Sequence, residues 1–585
     1  MSQTPFETQP ASTPGSFPSG FYAQASGYKL SFWILIVSVF LIMPILSFDF
    51  GITWDEWMDS NNGMLALRYL LSGGQDKEFL NFWHGIYYSH LFYGITGLLY
   101  GFIFDSVRNF AQAGLHQDTH LLNFYTTSHV MNALFGALTI LSAGLAAKKM
   151  GTWRSACFVA LFMVLSPRFL GHSMNNPKDI PFASTYMLAL LSMLQFVEEL
   201  PSPRKRTLIF VGLTIALAIG TRIGGFILLF YVALFSGGAW LHAQIQKSER
   251  WNPWRILGSL FMVGCIAYAG GLVFWPYGQM NPLINTFKAI KEITKFTHWD
   301  NEVLFEGVMT QASQLPWYYI PKWILISVPL FIPAGLILFA LLLPAILKKY
   351  DFRLMLMVLF SALFPAAYVI LKKSIVYDEW RHLLFIYAPL VILAASSWDF
   401  LLGLTKNAGQ RILIWSLLFA HMIAPLQWMV RNHPNQYVYF NTLAGGLQGA
   451  FGNYEMDYWG NCVRSASEWL ADYHREHHPN QPMFVRSDGS VMSSYPFLKK
   501  RLGELYHPFG YPRQFTEKAP YLYFGYGPYL QGPRGWDYAI VISRGWAKDV
   551  LKSPRGWPPA GTIYEVKADN TTLCAVVKNP VAKLK

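Results

Sequence analysis

Eleven apolar runs decide what this chain can fold into, because each is about long enough to cross a hydrocarbon core of about 30 Å as a helix of roughly 20 residues. They lie near 30–48, 121–147, 153–167, 180–197, 207–220, 224–243, 255–276, 323–347, 354–371, 383–403 and 411–430. Of 585 residues, 53% are hydrophobic and only 14% charged, against about 25% charged in soluble domains. The expected fold is a polytopic α-helical membrane protein. A further stretch, His84 to Phe104, could cross, but it carries His84, His90 and several tyrosines, which suits a helix lying along the interface.

Lys and Arg favour cytoplasmic loops. Segments 148–154, 201–206, 244–255, 348–353 and 404–411 hold 14 of them in 39 positions, whereas 49–120, 168–179, 221–223, 277–320 and 372–381 hold 12 in 141. The first set is therefore expected inside. With 84–104 lying flat, one alternation places the N-terminus inside, Asp55 outside and everything after residue 430 outside. The net charge of +13 is then largely topogenic; no cluster asks for nucleic acid, and membrane lipids are the natural basic-residue partners.

The expected organisation has three parts. Residues 1–28, rich in Ser, Pro, Gly and Gln, read as a disordered cytoplasmic tail, and the first apolar run, lacking a cleavage site, reads as a retained anchor. Residues 29–430 form the transmembrane domain, with a first outward loop at 49–120 and a long one at 277–320. From 431 the pattern changes to short apolar patches broken by Gly, Pro and charge. Pro482–Val485, Tyr538–Ile542 and Cys574–Val577 read as strands, and 461–476 and 491–505 as helices, giving a small outward α/β domain over 431–585. Cys157 and Cys265 sit in spans as small apolar residues, while Cys462 and Cys574 share the outward side, where a disulfide is open to them.

Chemistry-bearing residues gather at the outward ends of the spans. Ile52-Thr53-Trp54-Asp55-Glu56-Trp57 puts two carboxylates between tryptophans at a membrane boundary, where ionisable groups are costly unless they pair or work; the alternative is an acidic first turn of a helix. The next outward loop, Arg168 to Pro181, contains Arg168, His172, Asn176, Lys178 and Asp179; capping of the following helix by Asp179 before Ile180-Pro181 is the plainer reading there. Arg222, and Arg381-His382 within Tyr377-Asp378-Glu379-Trp380-Arg381-His382, could grip a phosphate; a snorkelling or locally paired Arg is the alternative, more so for Arg381 than for Arg222, which has no acid beside it in sequence. No zinc-type spacing, no Gly-rich phosphate loop and no Gly-x-Ser-x-Gly stands in the chain.

An inside N-terminus, Trp54-Asp55-Glu56 heading a long outward loop, and a second Asp in the next outward loop resemble the GT-C superfamily of membrane glycosyltransferases. The protein O-mannosyltransferase and aminoarabinose transferase branch is nearest, in particular bacterial members with a C-terminal outward domain. Arg168 to Pro181, and Tyr439-Phe440-Asn441 through Gly445-Gly446 to Asp457-Tyr458-Trp459-Gly460, look like those members. The resemblance implies an inner-membrane enzyme that takes a sugar from polyprenyl phosphate in the outer leaflet and transfers it, with inversion, to a hydroxyl of a protein, lipid or glycan acceptor. It makes Asp55 the base, with Glu56 beside it and Asp179 near the sugar or acceptor. Arg222, Lys178 and Arg381 would face the lipid phosphate, with His382, His172, Asn176, Arg168 and His129 around the substrates. No metal or other cofactor is expected. Two departures stand out: Ser128-His129 occupies the place where relatives carry an Arg, and Asn81-Phe82-Trp83-His84 the place of the Lys-Pro of aminoarabinose transferases. Two alternatives are a lipid-glycan flippase, which mid-span charges and inverted repeats would favour, and an oligosaccharide polymerase or ligase, for which Lys288, Lys291 and Lys295 at helical spacing leave room.

Overall fold

In the computed structural model, the described residues are 19–81, 85–104, 118–246, 251–294, 300–488, 491–508 and 535–580. Most of the expected tail, residues 82–84 of the first loop, and Lys295 lie outside them. The membrane part is built from α1 (Ser19–Ser47), α2 (Glu56–Leu71), α3 (Leu91–Phe104), α4 (Asp118–Met150), α5 (Trp153–Val164), α6 (Pro167–Asn175), α7 (Asp179–Glu198), α8 (Lys205–Thr221), α9 (Ile227–Ile245) and α10 (Pro253–Leu272). It continues through α11 (Pro282–Thr294), a short hairpin of β1 (Glu302–Phe305) and β2 (Val308–Gln311), α12 (Tyr319–Ser327), α13 (Phe331–Lys349), α14 (Phe352–Leu371), α15 (Tyr387–Leu404) and α16 (Ala408–Arg431).

Nine described helices are long and apolar enough to cross a membrane, ten if the bent pair of α5 and α6 is one span. Two local causes separate this from eleven. The third run breaks by 69° before Pro167, where the ring cannot continue the preceding helix; α8, packed between α7 and α10, has only 17 residues and opens on Lys205-Arg206. At 14 residues and about 1.5 Å each, α3 is too short to span, and it packs on α2 and α4. Helix α1 starts at Ser19, inside the expected tail.

The bundle is inside-out by the standards of a soluble protein. Helices α7 and α15 are the centre, with 83% and 94% of their apolar windows buried, whereas α16 is at 17%. Peripheral helices turn large apolar side chains outward, among them Leu41 and Ile45 of α1, Phe261 of α10, Leu341 of α13 and Leu371 of α14. Water would not tolerate such a continuous apolar exterior, so the chain is an integral membrane protein.

Beyond α16, helices α17 (Cys462–His477) and α18 (Tyr495–Leu502) accompany a five-stranded sheet. Its strands β3 (Met483–Ser487), β4 (Tyr506–Pro508), β5 (Tyr538–Ile542), β6 (Thr562–Ala568) and β7 (Thr571–Lys578) stand in the order β4-β3-β5-β7-β6. Strand β3 is parallel to β4 and β5, and β7 antiparallel to β5 and β6. All three strands and both helices read from the sequence are present within a few residues. Cys462 and Cys574 form a disulfide joining the start of α17 to β7.

Candidate active site

The first acidic motif splits at the start of α2. Asp55 is the N-cap and Glu56 and Asp59 lie in the first turn, where carboxylates are favoured by the helix dipole. Residues four apart share a helix face and neighbours do not. Asp55 and Asp59 therefore point together, with side chains 31% and 24% exposed, while Glu56 turns inward and is fully buried. Its Oε2 accepts the Thr53 N–H at 2.6 Å and its Oε1 lies 2.9 Å from His129 Nε2. The structure thus places Glu56 and His129 in a buried support beneath the helix start. Asp59, which the Asp-Glu doublet had overshadowed, takes the place beside Asp55; the signal for it was the four-residue spacing in Asp55-Glu-Trp-Met-Asp59.

Lys178 spans that acidic face. Its Nζ is 3.0 Å from Asp59 Oδ1 and 3.8 Å from Asp55 Oδ2, and 5.5 Å from the centre of the Tyr88 ring. Burial opposes its charge, but the two carboxylates outweigh burial and hold the ammonium above its usual range. Burial pushes the Asp59 carboxyl up, Lys178 opposing it and Asp55 adding to the rise.

One residue on, Asp179 is the first residue of α7 and its N-cap is Lys178. The capping expected of Asp179 falls to Asn176, whose Oδ1 accepts the Asp179 N–H at 3.0 Å while its Nδ2 donates to Asp179 Oδ2 at 2.9 Å. Asp179 is freed to hold two arginines: Arg222 Nη2 at 2.7 Å, from the end of α8, and Arg381 Nη1 at 3.5 Å, from the 3-10 turn Arg381–Ile386 leading into α15. His382 follows Arg381, its ring 4.7 Å from that of Tyr377. Asp55, Lys178, Asp179, Arg222 and Arg381 thus form one linked cluster at one end of the bundle.

A second, drier cluster stands behind it. Glu379 pairs with Arg168, lies 3.1 Å from His172 Nε2 and accepts the Tyr458 hydroxyl at 2.7 Å. Burial alone would raise its carboxyl; Arg168, His172 and Tyr458 reverse this and hold it low. Arg168 also donates to the Tyr439 carbonyl and lies over the Phe440 ring. Asp378 is gripped by Arg381 and by Arg544, at 3.1 and 2.5 Å. Asp378 and Glu379 both have positive φ, 51° and 59°, a conformation non-glycine residues keep only when their surroundings impose it. Arg168 and His172 therefore belong to this buried framework, tied to Asp179 through Asn176, whose Nδ2 lies 2.8 Å from His172 Nδ1. Arg544, just past β5, escaped the sequence reading because nothing local marks it.

The C-terminal region is bolted to the loop carrying Asp55. Asn461 Oδ1 accepts the Gly51 N–H at 2.9 Å and an Asn175 Nδ2–H at 3.2 Å, and Asn461 Nδ2 donates to the Pro434 carbonyl. The Trp54 N–H donates to the Trp459 carbonyl, and Arg544 lies over the Trp54 ring. A Cβ on Gly51 would come within 2.8 Å of the Asn461 carbonyl oxygen, so this approach requires glycine. Asp457 accepts the backbone N–H groups of Asn461 and Cys462, and the disulfide fixes the same turn to β7. Asp457, Cys462 and Cys574 lie close enough for a metal site, but the two sulfurs are spent on each other.

Between α2, the entry to α3, the α6–α7 turn and the end of α8 opens a narrow cleft of about 430 Å³, counting the space open to solvent. Lys178, Asp59 and Arg222 line it, with Asn62, Ser89 and Tyr93 at its base. Asn62 Oδ1, Ser89 Oγ, Tyr93 OH and Arg222 Nε are buried with no hydrogen-bond partner, at about 1–3 kcal/mol each.

The fold and site define an integral membrane protein whose acids and cations converge on a cleft at one end of its bundle. Two solved structures are similar over most of the chain. The aminoarabinose transferase ArnT from Cupriavidus metallidurans bound to undecaprenyl phosphate is 16% identical over 80% of this chain and 84% of its own, with a TM-score of 0.44. The oligosaccharyltransferase AglB from Archaeoglobus fulgidus, in complex with an inhibitory peptide and a dolichol-phosphate, is 14% identical over 80% of this chain and 64% of its own, at 0.45. Both are GT-C membrane glycosyltransferases. No family model and no curated protein matches. At these scores the chemistry of this chain has to be argued from its own residues.

Proposed function

We propose that the protein is an inverting glycosyltransferase that moves a sugar from a polyprenyl-phosphate donor to an acceptor hydroxyl at the outer face of the membrane. One observation carries the reading: Asp55, partly open to solvent, stands with Lys178 beside a cleft that also receives Arg222. An acceptor hydroxyl is a weak nucleophile, and a positioned carboxylate is a competent base for it. As the acceptor oxygen bonds to the anomeric carbon, Asp55 takes its proton and the carbon–oxygen bond to phosphate breaks on the opposite face, which inverts the carbon. The bonding pair leaves with the lipid phosphate, whose growing charge Lys178 and Arg222 stabilise, with Arg381 behind them through Asp179. The cations supply this charge stabilisation without a metal, so transfer persists in chelator. The charge bias of the loops supports an outward position for this end of the bundle.

The test is transfer of radiolabelled sugar from a panel of polyprenyl-phosphate donors by the full-length protein in lipid, wild type against Asp55→Asn. Turnover lost in the variant while donor binding persists supports the reading; equal turnover removes the base from Asp55, and none with any donor moves the function to lipid-glycan flipping.

A further inference from the structure

The base of the cleft carries more hydrogen-bonding capacity than the protein uses. Asn62 is 4% exposed, Ser89 8% and Tyr93 5%, and each leaves a side-chain polar atom unpartnered. Arg222 is anchored to Asp179 through Nη2 and leaves Nε unpaired. The close approach is built in: a Cβ on Gly63 would meet Tyr93 Cβ at 2.2 Å, so only glycine lets α3 enter near enough for Tyr93 to reach the cleft.

The unpaired atoms specify a ligand. Asn62 Oδ1 only accepts, Arg222 Nε only donates, and the Ser89 and Tyr93 hydroxyls do either. A ligand that satisfies all four must both donate and accept at neighbouring positions, as a ring of hydroxyls does. Charge narrows it further. The carboxylates in reach, Asp55 and Asp59, share one cation, Lys178, and Asp179 holds Arg222. An ammonium on the ring only donates and would strand Arg222 Nε, and a carboxylate only accepts and would strand Asn62 Oδ1 beside Asp59.

Resting on the transferase reading, we propose that this cleft seats the donor's glycosyl ring and selects an uncharged, polyhydroxylated sugar, with Asn62, Ser89 and Tyr93 reading its hydroxyls and the opposed Asn62 acceptor and Arg222 donor excluding charged rings.

Binding separates this proposal from the reaction itself. Full-length protein in nanodiscs is titrated with four short-chain prenyl phosphates: one bare, and three bearing a hexose, its amino-deoxy analogue or its uronic acid. The hexose should bind at least tenfold more tightly than the bare lipid and than either charged analogue. Tyr93→Phe, which removes one oxygen and keeps the ring, should erase most of that gain while leaving bare prenyl phosphate unchanged; Ser89→Ala is the second variant, should Tyr93→Phe fold poorly. Asp59→Asn should narrow the gap between hexose and uronic acid. Equal affinity of wild type for bare and hexose-bearing lipid overturns the proposal, as does tighter binding of either charged analogue or a hexose gain that survives both variants. Selective hexose binding without turnover would uphold the cleft and overturn the transferase reading.

Discussion

Two Asp-Glu pairs flanked by aromatic residues, Trp54-Asp55-Glu56-Trp57 and Tyr377-Asp378-Glu379-Trp380, meet opposite fates in one fold. In the first, Asp55 keeps 31% of its side chain exposed beside Lys178. In the second, both carboxylates are buried, both residues have positive φ, and three arginines, a histidine and a tyrosine hydroxyl hold them. The dipeptide does not decide the role. What decides it is whether the rest of the chain supplies enough partners to close the group off, and Asp55 is the one carboxylate of the four left open.

The largest effect should break this comparison on its catalytic side. Asp55→Asn keeps the shape of a partly exposed side chain and removes a general base, so kcat should fall about 10²–10⁴-fold, with the thermal midpoint little changed. Glu379→Ala should do the reverse. It leaves the buried Arg168 guanidinium without its counter-charge, a loss of about 3–5 kcal/mol, visible as a lowered melting temperature before any activity is measured. A stable Glu379→Ala protein with selectively lost turnover would move the chemistry to the second pair.

A smaller effect sharpens the boundary between the two regions. Asn461→Ala removes the acceptor for Gly51 and the donor to Pro434, costing about 1–3 kcal/mol and loosening the loop that aims Asp55. Turnover should drop with donor KM unchanged, and Gly51→Ala should reproduce the split by pushing the same contact apart. A rise in KM with unchanged kcat would show that the C-terminal region serves binding instead.

How much of this was legible beforehand follows from how local each signal is. The spans, the sheet strands and α17 are written in continuous apolar periodicity, which neighbours reinforce. Asp55, Lys178, Asp179 and Arg222 could be gathered because topology forces span ends to one side. The partition among them could not. That Glu56 points away from Asp55 follows from helical geometry only once the helix start is fixed at residue 56, and Asp59 becomes its partner by the same rotation. Arg544, Asn461 and the unpaired base of the cleft come from residues tens to hundreds of positions apart, and no pattern along the chain announces such contacts.

The last expected effect concerns a carboxyl that belongs to neither pair and reports on the crowding around the second. Glu455 is buried near Asp378 and Glu379, and burial pushes it from about 4.5 up to about 8, Arg544 at 4.0 Å only partly opposing the rise. A carboxyl raised on folding binds a proton that the unfolded chain has already released, so between about pH 4.5 and pH 8 this group's contribution must fall as pH rises and level off above 8. Glu455→Gln mimics the protonated form and should flatten that slope, leaving stability near pH 5 unchanged and improving it near pH 8. Melting temperatures of wild type and variant across pH 5–9 make the comparison. A slope unchanged by the substitution would mean that Glu455 is ionised throughout, and that the second acidic cluster carries one more negative charge than its arginines were taken to balance.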